Sequence, residues 1–490
     1  MVEVDVIIVG MGPTGATLAG LLGQRGVRVA VLDRLPDLFP LPRAAGLDHE
    51  VMRIMQELGI AERLASHIEP YRPSEYRGME GQLIQRLDST PPPFRLGWAP
   101  NYVFEQPAFE RAIRTRLAEL PNVQAECNAE VVAVGQEADH AWADVKLPGH
   151  DLIEHYVGRY LVACDGGSSP IRKQLGIKLE DLGFDEPWLV VDAIVSDQKL
   201  AELPQTQVQY CEAARPATYV VGVGKHRRWE VMLLPGDDPA CFAAPDHVRS
   251  LLRRWLAPED AELERAVVYT FNSVIASRWR NGRLMVAGDA AHQTPPFLGQ
   301  GLCAGLRDAA NLAWKLTWVL DGRGAMPLLD SYQDELRPHV AQYIAEANRI
   351  GAIIQETDPE RASVRNAMLL SQPQILAPIR PRLGGSDEAD TLAGTLAPQP
   401  RLRDGQLLDD AAGPRFIVLS RAGVSDQVSA ETRLRWEHAG AAIMEDEAAE
   451  YLNSLGAQAV IIRPDHYILG VARSAAELDA VTRKIPLAAG

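Results

Sequence analysis

The chain opens on an unbroken apolar run, Val4 to Val9, rich in β-branched residues and without the polar alternation of a half-exposed strand. That pattern predicts a strand buried on both faces of a parallel sheet. The run enters GMGPTG, and the next stretch, ATLAGLLGQRG, places small and apolar residues at helical spacing with Gly26 as its stop. VRVAVLD then predicts a second buried strand ending at Asp33, which completes one βαβ unit. Two further strand patterns, in YLVACDGGSSPIRKQLGI (Tyr160 to Ile177) and RLMVAGD (Arg283 to Asp289), each close on an aspartate beside a glycine. Between them, from Asp192 to Thr270, alternating stretches such as TYVVGVG and WEVMLLPG predict half-exposed antiparallel strands, a sheet domain inserted into the first. Cys303 to about Ile354 is helical in pattern. Glu356 to Gln399, rich in Pro, Gly, Ser and Asp, predicts a partly helical connector. Beyond it PRFIVLS, QAVIIRPDHYILGVA and SAAELDAVTRKI predict a small separate α/β domain.

Composition narrows the partners. With 490 residues and 47% hydrophobic content the chain can bury more than one core. A formal net charge of -16 excludes the basic face that nucleic acid needs and favours small-molecule ligands. The five cysteines, Cys127, Cys164, Cys211, Cys241 and Cys303, are widely spaced with no CxxC, which predicts neither a zinc site nor a disulfide framework and fits a reduced cytoplasm. No apolar run reaches the about 18 residues of a membrane span, and no export signal is read.

The chemistry starts at the first turn. GxGxxG between a strand and a helix, with an acidic residue about 20 positions on, is the dinucleotide fingerprint. Gly10 permits the tight turn, Gly12 lets backbone approach a pyrophosphate, Gly15 lets helix pack on strand, and Asp33 holds a ribose. The stretch GDAAHQTPPFLGQG poses a second question. Asp289, at the carboxyl end of a buried strand, faces the ligand crevice and can hold a second sugar-like chain, or it caps a helix. Pro295 and Pro296 either stiffen a ligand loop or end a strand, while Gly299 and Gly301 let backbone lie flat against a planar ring. The helix from Cys303 would aim its positive end at that ring. On these residues alone both readings stand.

Three motifs in order, GxGxxG, DGxxSxxR (Asp165, Gly166, Ser169, Arg172) and GDAAHxxPPxxGQG, resemble the class A flavoprotein aromatic hydroxylases, the group that includes p-hydroxybenzoate hydroxylase. LPRAAGLDHEVMRIMQELGI, VQYCEAARPATYV and LEDLGFDEPWLVVD look closest to the 3-(3-hydroxyphenyl)propionate hydroxylases. The resemblance implies an α/β fold: a Rossmann-like FAD-binding domain (1–75, 105–180 and 271–355) with an inserted substrate-binding sheet domain (76–104 and 181–270). A linker (356–394) and a thioredoxin-like domain (395–490) follow, the latter without cysteine and so without thioredoxin chemistry. It implies FAD as cofactor, NAD(P)H as co-substrate, and transfer of oxygen from O2 to a phenolic ring through a flavin hydroperoxide, with no metal, and it is compatible with a homodimer.

Carried over residue by residue, the resemblance gives Gly10, Gly12, Gly15 and Asp33 to the ADP half of FAD, and Arg43 to the pyrophosphate and NAD(P)H. Gln106 and Asp165 contact FAD, Gly288 and Asp289 hold the ribityl and pyrophosphate part, and Pro295, Gly299, Gln300 and Gly301 line the isoalloxazine. His49 and His292 are candidate general bases, with structural hydrogen bonding as the alternative. Tyr210, Tyr219, Trp229 and Met232 on the inserted sheet are candidate pocket residues or core, and Arg215 is the candidate for a substrate carboxylate or a surface charge. Trp314 and Lys315 read as helix packing and a helix-flank charge. Rival readings are oxygenation of a polycyclic polyketide, epoxidation or Baeyer–Villiger chemistry on the same fold, and a non-catalytic dinucleotide-fold binding protein. A plain dehydrogenase leaves the third motif without a use. NADH against NADPH stays open.

Overall fold

The computed structural model describes residues 1–88, 90–147, 153–371 and 379–488. Residues 372–378 of the expected connector therefore lie outside the described residues. The apolar run forms the strand Val6–Val9, fully enclosed, at the centre of a six-stranded sheet. Tyr160–Ala163 and Val29–Leu32 pair with it in parallel on either side, and Leu284–Val286 joins beyond Tyr160–Ala163. All four strands are buried along their whole length, as two-sided cover by helices requires. The helices Pro13–Gln24 and Gly301–Leu320 supply much of that cover, packed on each other through glycine, alanine and leucine.

The inserted region builds an eight-stranded sheet around two long strands, Leu179–Val195 and Ala261–Ala276. It is antiparallel except where Gln207–Tyr210 runs parallel to Ser74–Arg77. One face packs on the helices Pro239–Phe242 and Pro245–Leu252, with Leu189, Val191, Tyr219, Trp229 and Val231 in that core. The other face looks toward the nucleotide-binding domain.

The C-terminal region forms a four-stranded sheet in the order Ala442–Glu445, Ile417–Ser420, Ala459–Ile462, Ile468–Ala472, with the first pair parallel and the rest antiparallel, which is the thioredoxin-like arrangement. It docks on the first domain through buried polar groups and aromatic rings. Trp314 and Trp318 pack against Phe416, Asp465 accepts from the indole of Trp314 at 3.0 Å, and Arg463 pairs with Glu335 at 2.7 Å. Lys315 corrects the sequence reading: it is fully buried and its ammonium meets Glu335 at 2.7 Å, so it is an interior ion pair and not a flank charge.

Candidate active site

A cavity of about 820 Å³ runs from the glycine loop, between the two larger domains, to the inner face of the eight-stranded sheet. That is near the upper end of the roughly 300–1,000 Å³ of small-molecule sites. Local sequence chemistry shapes its first wall. Gly10 has φ +98°, and a Cβ there would sit 2.3 Å from the Cys164 carbonyl oxygen. A Cβ on Gly15 would meet the Gly10 carbonyl oxygen at 1.9 Å, so both positions exclude a side chain for reasons internal to the fold. Gly12 differs: a Cβ would meet no protein atom within 4 Å, because the residue faces the cavity. The backbone therefore leaves open the space that a pyrophosphate occupies in this fingerprint, and the fit to a dinucleotide is good. Asp33 closes the turn, accepting from the Met11 amide at 2.7 Å and the Leu35 amide at 2.8 Å.

The second wall is the stretch 288–302. The predicted strand ends at Val286 and a 3-10 turn, Gly288–Ala290, follows. Asp289 caps nothing: its carboxylate makes no hydrogen bond or ion pair with the described residues and opens onto the cavity. Enclosure raises its pKa above the usual carboxylate range, against the opposing pull of His292 and Arg43. Gly299 is left-handed at φ +63°, also with empty space at its Cβ, and the helix starts at Gly301, two residues earlier than its pattern predicts. Its first residues, Gly301 and Leu302, face the cavity, so unpaired helix N–H groups do too. Gln300 lines the wall, but its Oε1 accepts from Arg307 at 3.0 Å. Pro295 is buried behind the wall, and it is Pro296 that lines the cavity.

The third wall is the loop before the helix His49–Glu57. Gln106, buried at the start of the helix Gln106–Ala118, accepts from the amides of Arg43 and Ala44, both at 2.7 Å. On the opposite side Arg228 donates to the carbonyls of Arg43 (2.9 Å) and Pro42 (2.6 Å), and Arg265 donates to Pro42 (2.6 Å). Both arginines are themselves held by the buried carboxylate of Asp192. Burial alone would raise the Asp192 pKa; hydrogen bonding from His226 and the two guanidinium charges bring it down to about 2. The sheet thus clamps the loop that presents Arg43, whose own guanidinium is exposed over Phe39. Nothing in the sequence pattern marks Asp192, Arg228 and Arg265 as one unit, because the strands that bring them together are joined only by the fold.

Several expected site residues stand elsewhere. His49 lines the cavity, and burial, with Arg380, Arg307 and Arg53 adding to it against Asp48, pushes its pKa down to about 4. His292 does not line it. That ring is sealed against Trp279 with Nε2 2.8 Å from Asp308, whose carboxylate also accepts from the Gly288 amide, so it braces the turn under Asp289. Its burial would lower its pKa, but Asp308 raises it. Asp165 accepts from the Ile171 amide at 3.2 Å and leaves the wall to Cys164 and Gly166. Tyr210, Tyr219 and Trp229 lie on the far face of the sheet, and Arg215 lies away from the cavity, paired with Asp237 at 2.7 Å. Met232 packs with Trp188 and Tyr76 in a cluster beside the cavity. The sheet residues that do line it include Gln207, Gln209, Thr218, Val220, Arg228 and Glu230. A strand's side chains alternate between faces, so a choice made on aromatic character selected the packed face instead of the lining one.

A glycine turn with room for a pyrophosphate, an unpaired carboxylate, a helix N-terminus and a polar sheet face around one cavity fit a flavin dinucleotide with a substrate beside it. Residues 3–347 match the FAD binding domain family, and the chain belongs to it, among the class A flavoprotein aromatic hydroxylases. Of its relatives, a probable NADH-specific resorcinol 4-hydroxylase of Rhodococcus jostii is 35% identical over 98% of this chain and 94% of its own length. A 3-(3-hydroxy-phenyl)propionate/3-hydroxycinnamic acid hydroxylase of Burkholderia vietnamiensis is 32% identical, covering 97% and 94%. The flavin-dependent monooxygenase PieE, solved with FAD and substrate, shares the fold with a TM-score of 0.84 at 21% identity over 99% of this chain and 98% of its own. Aklavinone-11 hydroxylase, solved with FAD and aklavinone, gives 0.82 at 23% identity, with 99% of each chain covered. The chain is an FAD-dependent aromatic-ring monooxygenase that uses NAD(P)H and O2. Among the described residues no helix is long and apolar enough to cross a membrane.

Proposed function

We propose that the substrate is a single-ring phenol of the resorcinol or 3-(3-hydroxyphenyl)propionate class. The observation that carries the reading is the continuity of one cavity from Gly12 to the polar sheet face, with two relatives of that chemistry matched over nearly their whole length. FAD, when bound, would carry electrons from NAD(P)H to O2, the source of the oxygen atom transferred. The protein's part is positional and electrostatic. Gly12 and the amides behind it would receive the pyrophosphate, and Asp289 would accept hydroxyl hydrogens of the ribityl chain. The N–H groups at Gly301 and Leu302 favour negative charge on the ring system. Asp192, through Arg228 and Arg265, fixes the loop that carries Arg43 at the cavity wall, and the sheet would shield a bound substrate from water. The five free thiols fit a reducing compartment, and we place the activity in the cytoplasm.

The test is oxidation of NADH and of NADPH by the FAD-loaded protein with resorcinol and with 3-(3-hydroxyphenyl)propionate, product being measured in the same reaction. Oxidation that rises with either phenol and matches hydroxylated product supports the class. Oxidation that ignores both, but is coupled to product from a polycyclic phenol, overturns it.

A further inference from the structure

The register of the eight-stranded sheet sorts its cavity face into rows. One row crosses Val220, Arg228, Asp192 and Arg265 and is the charged clamp described above. Another crosses Trp188 and Met232 and is apolar. Between them runs a row of Tyr76, Gln209, Thr218, Glu230 and Val190. Glu230 is its single ionisable carboxyl, 8% exposed, and that exposure is to the cavity it lines.

Among the described residues no cation is hydrogen-bonded to this group. Its nearest cation, Arg228, stays 3.9 Å away because its guanidinium is turned to Asp192 and to the Pro42 and Arg43 carbonyls. No hydrogen bond from a described residue reaches the Glu230 carboxylate. Thr218 stands next to Glu230 in the row and donates its hydroxyl at 2.5 Å to Gln209, one strand further on, which leaves the Gln209 amide hydrogens without a partner among the described residues. The row therefore offers an acceptor at Glu230 and, two strands away beyond Thr218, donor hydrogens at Gln209, complementary to a ring that carries polar groups at two positions. The charged and titratable groups around Glu230 are Arg228 on its own strand, Asp192 and Arg265 on the strands beyond, and Tyr71 on the chain entering the sheet.

We infer that Glu230 receives a hydroxyl of the phenolic substrate, with Gln209 further along the same row, and so orients the ring and draws it toward phenolate character. The inference rests on the phenol reading above and deepens it. A carboxylate acceptor strengthens a phenolic hydrogen bond beyond what a neutral acceptor gives, and electron density pushed onto the ring oxygen activates the carbons ortho and para to it. The same charge opposes a substrate carboxylate on this wall, since both arginines of the sheet face are committed to Asp192. The chemistry selected is that of a neutral polyhydroxylated ring, with an acidic tail placed elsewhere or disfavoured.

Burial raises the Glu230 pKa, with Arg228 pulling the other way. The ionised form is the acceptor, so phenol affinity rises as pH increases through that raised value and levels off while the phenol itself stays neutral, below about pH 9. The experiment is equilibrium titration of the FAD-loaded full chain with resorcinol, its monomethyl ether 3-methoxyphenol, and 3-(3-hydroxyphenyl)propionate. It follows the flavin absorbance from pH 5 to 8 in wild type, Glu230→Gln and Glu230→Asp. Wild type is expected to bind resorcinol more tightly as pH rises. Glu230→Gln is expected to weaken resorcinol about tenfold at pH 8, flatten the profile, and improve 3-(3-hydroxyphenyl)propionate relative to resorcinol, with flavin retained. Glu230→Asp keeps the pH limb. A flat wild-type profile, or a Glu230→Gln protein that binds resorcinol within twofold of wild type, overturns the assignment. That result with hydroxylation intact removes Glu230 and leaves the phenol reading; failure of wild type to bind or hydroxylate any phenol removes both.

Discussion

Gly12 and Gly15 share a motif and differ in what forbids a side chain. At Gly15 the obstacle is the Gly10 carbonyl, 1.9 Å from a Cβ, and at Gly12 it is empty space that the protein leaves open. Gly15→Ala is expected to lose stability, because backbone must shift, and Gly12→Ala to melt like the wild-type apoprotein while losing flavin. Thermal melts beside flavin absorbance after gel filtration separate the two; equal melting losses in both would sink the distinction. Both glycines were legible in the sequence, since strand, turn and helix surround them. His292 was legible as either a base or a structural hydrogen-bonder, and the choice between them depends on Asp308, which the sequence does not place beside it.

In the inserted sheet, one residue of register decides between wall and core. Thr218 and Tyr219 are neighbours, yet the first lines the cavity and the second donates to the Pro204 carbonyl at 3.0 Å on the far side. Tyr219→Phe is expected to cost about 1 kcal/mol of stability with KM unchanged. Thr218→Val is expected to raise the phenol KM several-fold with little effect on melting. Steady-state kinetics beside chemical denaturation would reveal a reversal. The Asp192 clamp makes a second prediction at this scale. A carboxylate held at about 2 in the fold, against about 3.9 in the unfolded chain, stabilises the protein fully above roughly pH 4. That contribution, on the order of 2 kcal/mol, is lost as pH falls through 2. Asp192→Asn should therefore remove it at neutral pH and flatten the acid limb of stability, which denaturation at pH 3 and 7 measures.

Across the whole molecule, the C-terminal domain acts as a fitted brace. Arg53 donates to the Ala397 carbonyl and pairs with Asp409, and the Tyr467 hydroxyl reaches Glu50, on the helix whose first residue, His49, lines the cavity. Arg463 lies between Glu335 and Asp465. Arg463→Ala leaves those carboxylates buried beside Lys315 alone, and is expected to cost about 3 kcal/mol. Calorimetry should show it, and an unchanged melting temperature would mean that the docking is not held there. With no cysteine after Cys303, dithiol reagents should leave this domain's contribution unaffected.

The sequence alone determined the elements whose signals are local: the buried parallel strands, the glycine turn, the helix after Gly-Gln-Gly, and the cysteine-free C-terminal α/β unit. Those follow from periodicity and turn chemistry, which act over a few residues. Only the tertiary structure decided which face of each inserted strand meets the cavity and that Pro296, not Pro295, lines it. It also decided that Lys315 is interior, and that Asp192, Arg228 and Arg265 grip the Arg43 loop from 150 residues or more away in sequence. The physical reason is common to all of these. Strand pairing and domain docking join residues with no local constraint between them, and a shift of one residue in register exchanges wall for core.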